Sequence, residues 1–267
     1  MKYRKWFVAL AALALVSPWA VAHDTWLQLN SAVVRVGDAV YVDLMLGNHG
    51  NEHRDFKVAG KFDPSGAKIT VVDPDGGRFD LKPSLTDVGY APKEGFWAGQ
   101  YTPGKAGLYV ISQTSEQVVT YAPERVVRSA KAFFLAAAKL DAVPADAPGF
   151  DRVLGDPLEI VPVSSTVCPM GPGVPIKVRL LYKGKPLAGE KVSFIPRGEE
   201  LRGEVDPTYE RKTDDAGVAT FEPKAANYYL VAVHHIEPAE RGPGYESTKY
   251  SSTLTVIVPG VCPCCGG

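Results

Sequence analysis

"PIKVRLLYKGKPLAGEKVSFIPRG", residues 175–198, decides the fold class. Ile176, Val178 and Leu180 alternate with Lys177 and Arg179, the period-two signature of a strand with one covered face. "KGKPLAG" then supplies the Gly and Pro of a turn, and Val192 and Phe194 resume the alternation. The same texture recurs in both directions. "AVYVDLMLG" (39–47) places Val40, Val42, Leu44 and Leu46 on one face, and "TWLQLN" (25–30) also alternates. "KITVVDPDGGRFDL" reads as two strands around a Pro-Asp-Gly-Gly turn. "FWAGQYTPGKAGLYVISQTS" repeats that scheme, and "QVVTYA" continues the sheet. "RSAKAFFLAA" is open between a strand and a short helix, because its apolar residues run without a period. Beyond it, "PLEIVPV", "RKTDDAGVATFEP", "NYYLVAVHHI" and "STLTVIV" restart the β pattern. With 26 Gly and 22 Pro in 267 residues, the composition suits many short strands joined by tight turns.

The first residues read differently. Lys2, Arg4 and Lys5 precede the apolar run "WFVALAALALV", which is shorter than the about 20 residues needed to span a bilayer. "AVA" at 20–22 offers the small residues of a cleavage site, so 1–22 is expected to be a secretory signal peptide. Without its three cations, 26 Lys and Arg face 30 Asp and Glu, formally −4. That balance argues against nucleic acid or an anionic membrane surface as partner. The expected location is periplasmic or otherwise secreted, with no direct membrane insertion after cleavage.

"AAAKLDAVPADAPGFDRVLGDP" is rich in Ala, Pro, Asp and Gly and poor in periodic apolar residues. The expected organisation is an N-terminal β-sandwich over 23–140, a linker at 141–155, a C-terminal β-sandwich over 156–259 and a Cys-rich tail at 260–267. The fold class is all-β, with two sandwiches of immunoglobulin-like or prealbumin-like type.

The five histidines fall in three places. His23 would begin the processed chain. There its α-amine, with a pKa near 8, can chelate an ion together with the imidazole. Such a nitrogen-rich chelate suits copper(II) or nickel(II). His49 and His53 flank "GNE" in a Gly- and Asn-bearing loop that can fold back around one ion. The spacing is HxxxH and not HExxH, so it lacks the glutamate that directly follows the first histidine in that zinc-protease motif. His234 and His235 are adjacent at a strand end, where alternation sends neighbours to opposite faces. Both reach one ion only if the strand ends or bulges there. The candidate metal ligands are therefore His23, His49, His53, His234 and His235. Each taken singly is also explained as an ordinary surface or core histidine.

Cys262, Cys264 and Cys265 crowd the tail and Cys168 stands alone. They offer soft-metal ligands for copper(I) or zinc, or a disulfide pinning the tail to Cys168. "TDDAG" and "VVDPDGG" read as turns capped by Asp side chains. No nucleophile elbow, phosphate loop or dinucleotide fingerprint is present, and no catalytic residue is expected.

"GKPLAGEKV", "TDDAGVATF" and "YYLVAV" resemble the prealbumin-like or carboxypeptidase-regulatory-like modules over roughly 175–258. "AHDTWLQL", "GDAVYVDLMLGN" leading into "HGNEH", and "GLYVISQ" resemble a family of periplasmic proteins catalogued as a domain of unknown function. That family is described as the periplasmic component of nickel/cobalt uptake systems. The resemblance implies transition-metal binding in the cell envelope and delivery of nickel or cobalt to membrane transporter components. It bears most directly on His23 and the His49 region, and no family pattern accounts for the "CPCCGG" tail. Two further readings stand beside it. One is a copper-binding chaperone or a terminal-histidine copper monooxygenase-like enzyme, marked by a flat aromatic face around His23. The other is a non-catalytic structural or adhesion module.

Overall fold

The computed structural model describes residues 23–47, 62–91 and 94–264. The expected signal peptide, His49, His53 and Cys265 lie outside the described residues. In chain order the strands are β1 (Asp24–Leu29), β2 (Val33–Arg35), β3 (Val40–Gly47), β4 (Lys68–Val72), β5 (Arg78–Asp80) and β6 (Thr86–Asp87). There follow β7 (Trp97–Tyr101), β8 (Gly107–Val118), β9 (Glu124–Ala137), β10 (Leu158–Pro162), β11 (Ile176–Tyr182) and β12 (Lys185–Pro186). The last five are β13 (Lys191–Pro196), β14 (Glu210–Lys212), β15 (Val218–Phe221), β16 (Asn227–Glu237) and β17 (Ser247–Val258). The helical content of the described residues is one short 3-10 turn at Lys82–Ser84, and no helix among them is long and apolar enough to cross a membrane.

A nine-stranded sheet runs through the middle in the order β14-β13-β16-β17-β9-β8-β4-β5, with β2 also paired to β9. Against one face packs a four-stranded sheet, β1-β3-β7-β6. Leu27, Val42 and Leu44 from it meet Ile111, Ala132 and Phe134 of the long sheet. Against the other face packs a second four-stranded sheet of β10, β11, β12 and β15. Ile160, Ile176 and Val178 from it meet Phe133, Leu135, Phe194, Val231 and Leu254. We call these the N-face and the C-face. Two sandwiches are present, as the sequence leads one to expect, and the long sheet is common to both. The strandless stretch 141–155 lies where a linker was expected, yet Val143 and Ala147 from it are buried in the C-face core. The sheet itself passes from one half of the chain to the other through the parallel pairing of β17 with β9.

This layering settles "RSAKAFFLAA", which is part of β9. Ala130, Ala132, Phe134 and Ala136 enter the N-face core, and Phe133, Leu135 and Ala137 the C-face core. A strand covered on both sides has no polar face, so its alternation disappears. Two expected strand–turn–strand units have their strands, but those strands do not pair with each other. β7 and β8, around "YTPGKAG", lie in different sheets, and so do β11 and β13, around "KGKPLAG". In each case the chain crosses between layers, because both flanking strands must present apolar faces to the same core. The unit around "DPDGG" is a true hairpin of β4 and β5. Its turn is held by Asp73, whose Oδ1 accepts from the backbone N–H of Asp75 (2.9 Å) and Gly77 (2.7 Å).

Candidate functional site

His23 sits just before β1, the edge strand of the N-face sheet. An edge strand leaves a row of carbonyls unpaired by backbone, and here side chains of the long sheet close it. Arg128 Nε–H donates to His23 O (3.0 Å), and the Thr253 hydroxyl donates to Thr25 O (2.8 Å). The Thr25 hydroxyl in turn donates to Gln113 Oε1 (2.6 Å). Asp24 is 1% exposed, and its Oδ2 lies 2.8 Å from His234 Nε2. The start of β1 is thus fixed at its carbonyl and at the following carboxylate, while His23 itself is exposed.

The electrostatics around Asp24 are dense. Arg128 and Lys249 are both buried and both lie in its field. Burial lowers the pKa of the Arg128 guanidinium and of the Lys249 ammonium from their ordinary values, and the Asp24 charge opposes both shifts. One carboxylate thus steadies two buried cations and an imidazole.

A cavity of about 410 Å³ opens beside His23, lined among others by Phe62, Asp63, Glu116, Tyr121 and Arg128. β1 and β3 are antiparallel with Asp24 opposite Gly47. The chain therefore leaves the described residues next to the start of β1. It returns at Phe62, which lines the same cavity and accepts a hydrogen bond at its carbonyl from Trp97 Nε1 (2.6 Å).

The two adjacent histidines part company. The register of β16 with β17 continues unbroken through His234↔Ser251 and His235↔Tyr250. Without a bulge the two imidazoles take opposite faces. His234 lies on the N-face with Asp24. His235 lies on the C-face, with Nδ1 2.9 Å from Glu190 Oε2 and its ring 4.5 Å from that of Tyr182. His235 is therefore not brought to His23.

Cys168 and Cys264 form a disulfide with Cα atoms 6.1 Å apart, joining the turn before β11 to the chain after β17. Cys262 Sγ lies 3.2 Å from Cys264 Sγ. Among the described residues, these three cysteines are the one group whose ligand atoms lie within coordinating range of one another, all within 4.8 Å.

Several residues at these sites carry no sequence signal that singles them out. Arg128 and Lys249 read as ordinary polar positions of strands. Asp24 is visible only as the neighbour of His23. Lys131 is the exception, since a lysine inside "SAKAFFLAA" is anomalous on its face. It is 2% exposed and ion-paired with Glu159, which is 1% exposed. The Glu159 carboxylate also accepts from the backbone N–H of Leu154 (2.6 Å), Gly155 (2.9 Å) and Asp156 (3.2 Å).

No curated protein matches the chain. Among solved structures, the D0–D1 domain of intimin is similar over 87% of this chain and 97% of that one, at 11% identity and a TM-score of 0.25. A DUF4785 family protein from Legionella pneumophila is similar over 77% and 51%, at 14% identity and 0.29. A Salmonella alpha-2-macroglobulin mutant is similar over 90% and 15%, at 13% identity and 0.27. Scores of this size transfer no function. The sequence itself is placed by a family model, that of the domain of unknown function DUF4198, which matches residues 20–237, and the chain belongs to that family.

Proposed function

We propose that the protein, once residues 1–22 are removed, binds a divalent first-row transition ion at its new N-terminus and delivers nickel or cobalt to a membrane uptake transporter. It acts in the periplasm or another exported location. The His23 α-amine and imidazole form the first chelate, and His49 and His53 complete the site. The supporting observation is the β1–β3 register, with Asp24 opposite Gly47. His49 follows Gly47 by two residues, a reach of about 7 Å. Asp63 and Glu116, which line the cavity, add oxygen donors of the kind such ions accept. His234 is a positioning residue, because it holds Asp24 and so the backbone on which His23 stands. His235 has no part in the site.

The copper-enzyme reading asks for a flat aromatic face around His23. The described lining offers Phe62 and Tyr121 within a recess, which favours binding and release over attack on a polymer surface. Copper(II) binds nitrogen sites more tightly than nickel(II) in any case, so affinity alone does not select the cargo.

The test is a nickel(II) and cobalt(II) titration of chain beginning at His23, at two pH values. Imidazole binds metal only when neutral, so affinity falls as pH drops below about 6.5. A single residue added before His23 converts the amine to an amide and is expected to weaken binding about 100-fold, as loss of a chelating ligand should exceed the usual cost of disturbing its supports. Equal affinity at pH 5 and pH 7.5, or indifference to the added residue, overturns the reading.

A further inference from the structure

We propose that Cys168, Cys262 and Cys264 form a redox-gated site for copper(I), closed by the Cys168–Cys264 disulfide and opened by its reduction. The site is separate from the histidine chelate and does not depend on it. Its three sulfurs all lie within 4.8 Å of one another. Pinning the tail takes two cysteines. The third, Cys262, has its sulfur 3.2 Å from that of Cys264, at the edge of the C-face core.

The spacing fits a three-coordinate ion. Metal–thiolate bonds of about 2.3 Å put the sulfurs of a trigonal site about 4 Å apart. Opening the bridge lets Cys168 and Cys264 separate to that distance, with Cys262 Sγ starting 3.2 Å from Cys264 Sγ. Cys168 is 1% exposed and anchored by its turn, where its backbone N–H donates to Ser165 Oγ (3.1 Å). Cys262 and Cys264 are half-buried on the segment after β17, so one side of the site is fixed and the other adapts.

The donor set selects the ion. Thiolates prefer soft cations, copper(I) among them, whereas nickel(II) and cobalt(II) accept nitrogen and oxygen. The group found among the described residues offers three sulfurs. Copper(I) is satisfied by three.

The gate is a thiol–disulfide exchange. An external dithiol attacks the bridge, is oxidised to its own disulfide, and leaves Cys168 and Cys264 as thiols, transferring two electrons and two protons. Copper(I) then displaces the protons of the three thiols. An external disulfide then accepts two electrons from Cys168 and Cys264 by the reverse exchange and becomes a dithiol, which re-forms the bridge, withdraws two ligands, returns a proton to Cys262 and releases the ion.

The experiment is an anaerobic copper(I) titration against bicinchoninate. It uses chain beginning at residue 23 with the substitution His23→Ala, so that the N-terminal chelate does not contribute. With the bridge reduced by an excess of dithiol that is then removed, one copper(I) per chain is expected to bind. With the bridge intact, none should bind at the same competitor concentration. Cys262→Ser keeps the bridge, verified by thiol counting before and after reduction, and is expected to weaken the reduced form about 100-fold. The proposal is overturned by equal uptake in the two redox states. It is overturned equally if Cys262→Ser binds like its parent while Cys265→Ser does not, or if zinc(II) displaces copper(I) from the reduced site.

Discussion

The two most deeply buried carboxylates among the described residues, each 1% exposed, lie on opposite faces of the long sheet and are partnered in opposite ways. On the C-face, Glu159 meets Lys131, and both are sealed from water at 1% and 2% exposure. Three backbone N–H groups finish the carboxylate, and the turn at Leu154–Asp156 is wrapped around it. On the N-face, Asp24 is as deeply buried, but its imidazole partner His234 is 30% exposed. The first pair is enclosed and permanent in character. The second reaches solvent through the His234 ring. The difference teaches where solvent is let in: the C-face pair is sealed, whereas the N-face keeps a solvent-facing imidazole at the edge from which His23 projects.

Four measurements on metal-free protein would break or sharpen this contrast. The largest effect is expected from Lys131→Met. It leaves Glu159 buried without its cation, and stability from urea unfolding should fall by about 3–5 kcal/mol. A loss below about 1 kcal/mol would mean that water reaches the pair. Next is His234→Ala, which strips Asp24 of a charge-assisted hydrogen bond and should cost about 1.5–3 kcal/mol.

The third is Asp156→Asn. Burial pushes the Asp156 carboxyl up to about 6, against the pull of Lys131, and its Oδ2 is buried without a hydrogen-bond partner. A raised acid favours the fold below its unfolded value of 3.8, and that contribution is lost as pH rises through about 6. The asparagine variant should therefore match the parent near pH 4 and exceed it at pH 7.5. The expected gain is on the order of 1–2 kcal/mol after allowing for residual exposure. A gain of the same size at both pH values would assign the effect to packing. The smallest effect is expected from His235→Ala. Its side chain and that of Glu190 are 19% and 25% exposed, so the pair contributes about 0–1 kcal/mol. If His235→Ala costs as much as His234→Ala, the asymmetry between the faces is gone.

Legibility in the sequence followed range. β3 could be read because its covered side recurs every second residue, with Val40, Val42 and Leu44 all buried. β9 could not, because two covered sides erase the period. Turn chemistry was equally local: Asp214 Oδ1 accepts from the backbone N–H of Ala216 (2.9 Å) and Val218 (2.8 Å), as "TDDAG" suggests. What a turn joins is not local, and so nothing in "YTPGKAG" or "KGKPLAG" says that the flanking strands belong to different layers. The alternation of His234 and His235 follows from strand geometry alone. Their partners do not. Asp24 is 210 positions from His234, and Glu159 is 28 from Lys131, on a different sheet. The cysteine bridge spans 96 positions, and nothing in "CPCC" says which sulfur takes it.

The parallel seam between β9 and β17 has a consequence in time. Ser129 and Ser252, hydrogen-bonded across it at 2.9 Å, are 123 positions apart. At a synthesis rate of about 5–20 residues per second, β9 emerges roughly 6–25 s before the neighbour it needs. Until then a long apolar strand has one edge unsatisfied, an invitation to pair with another copy. A chain built this way benefits from being kept extended until its last strand is available.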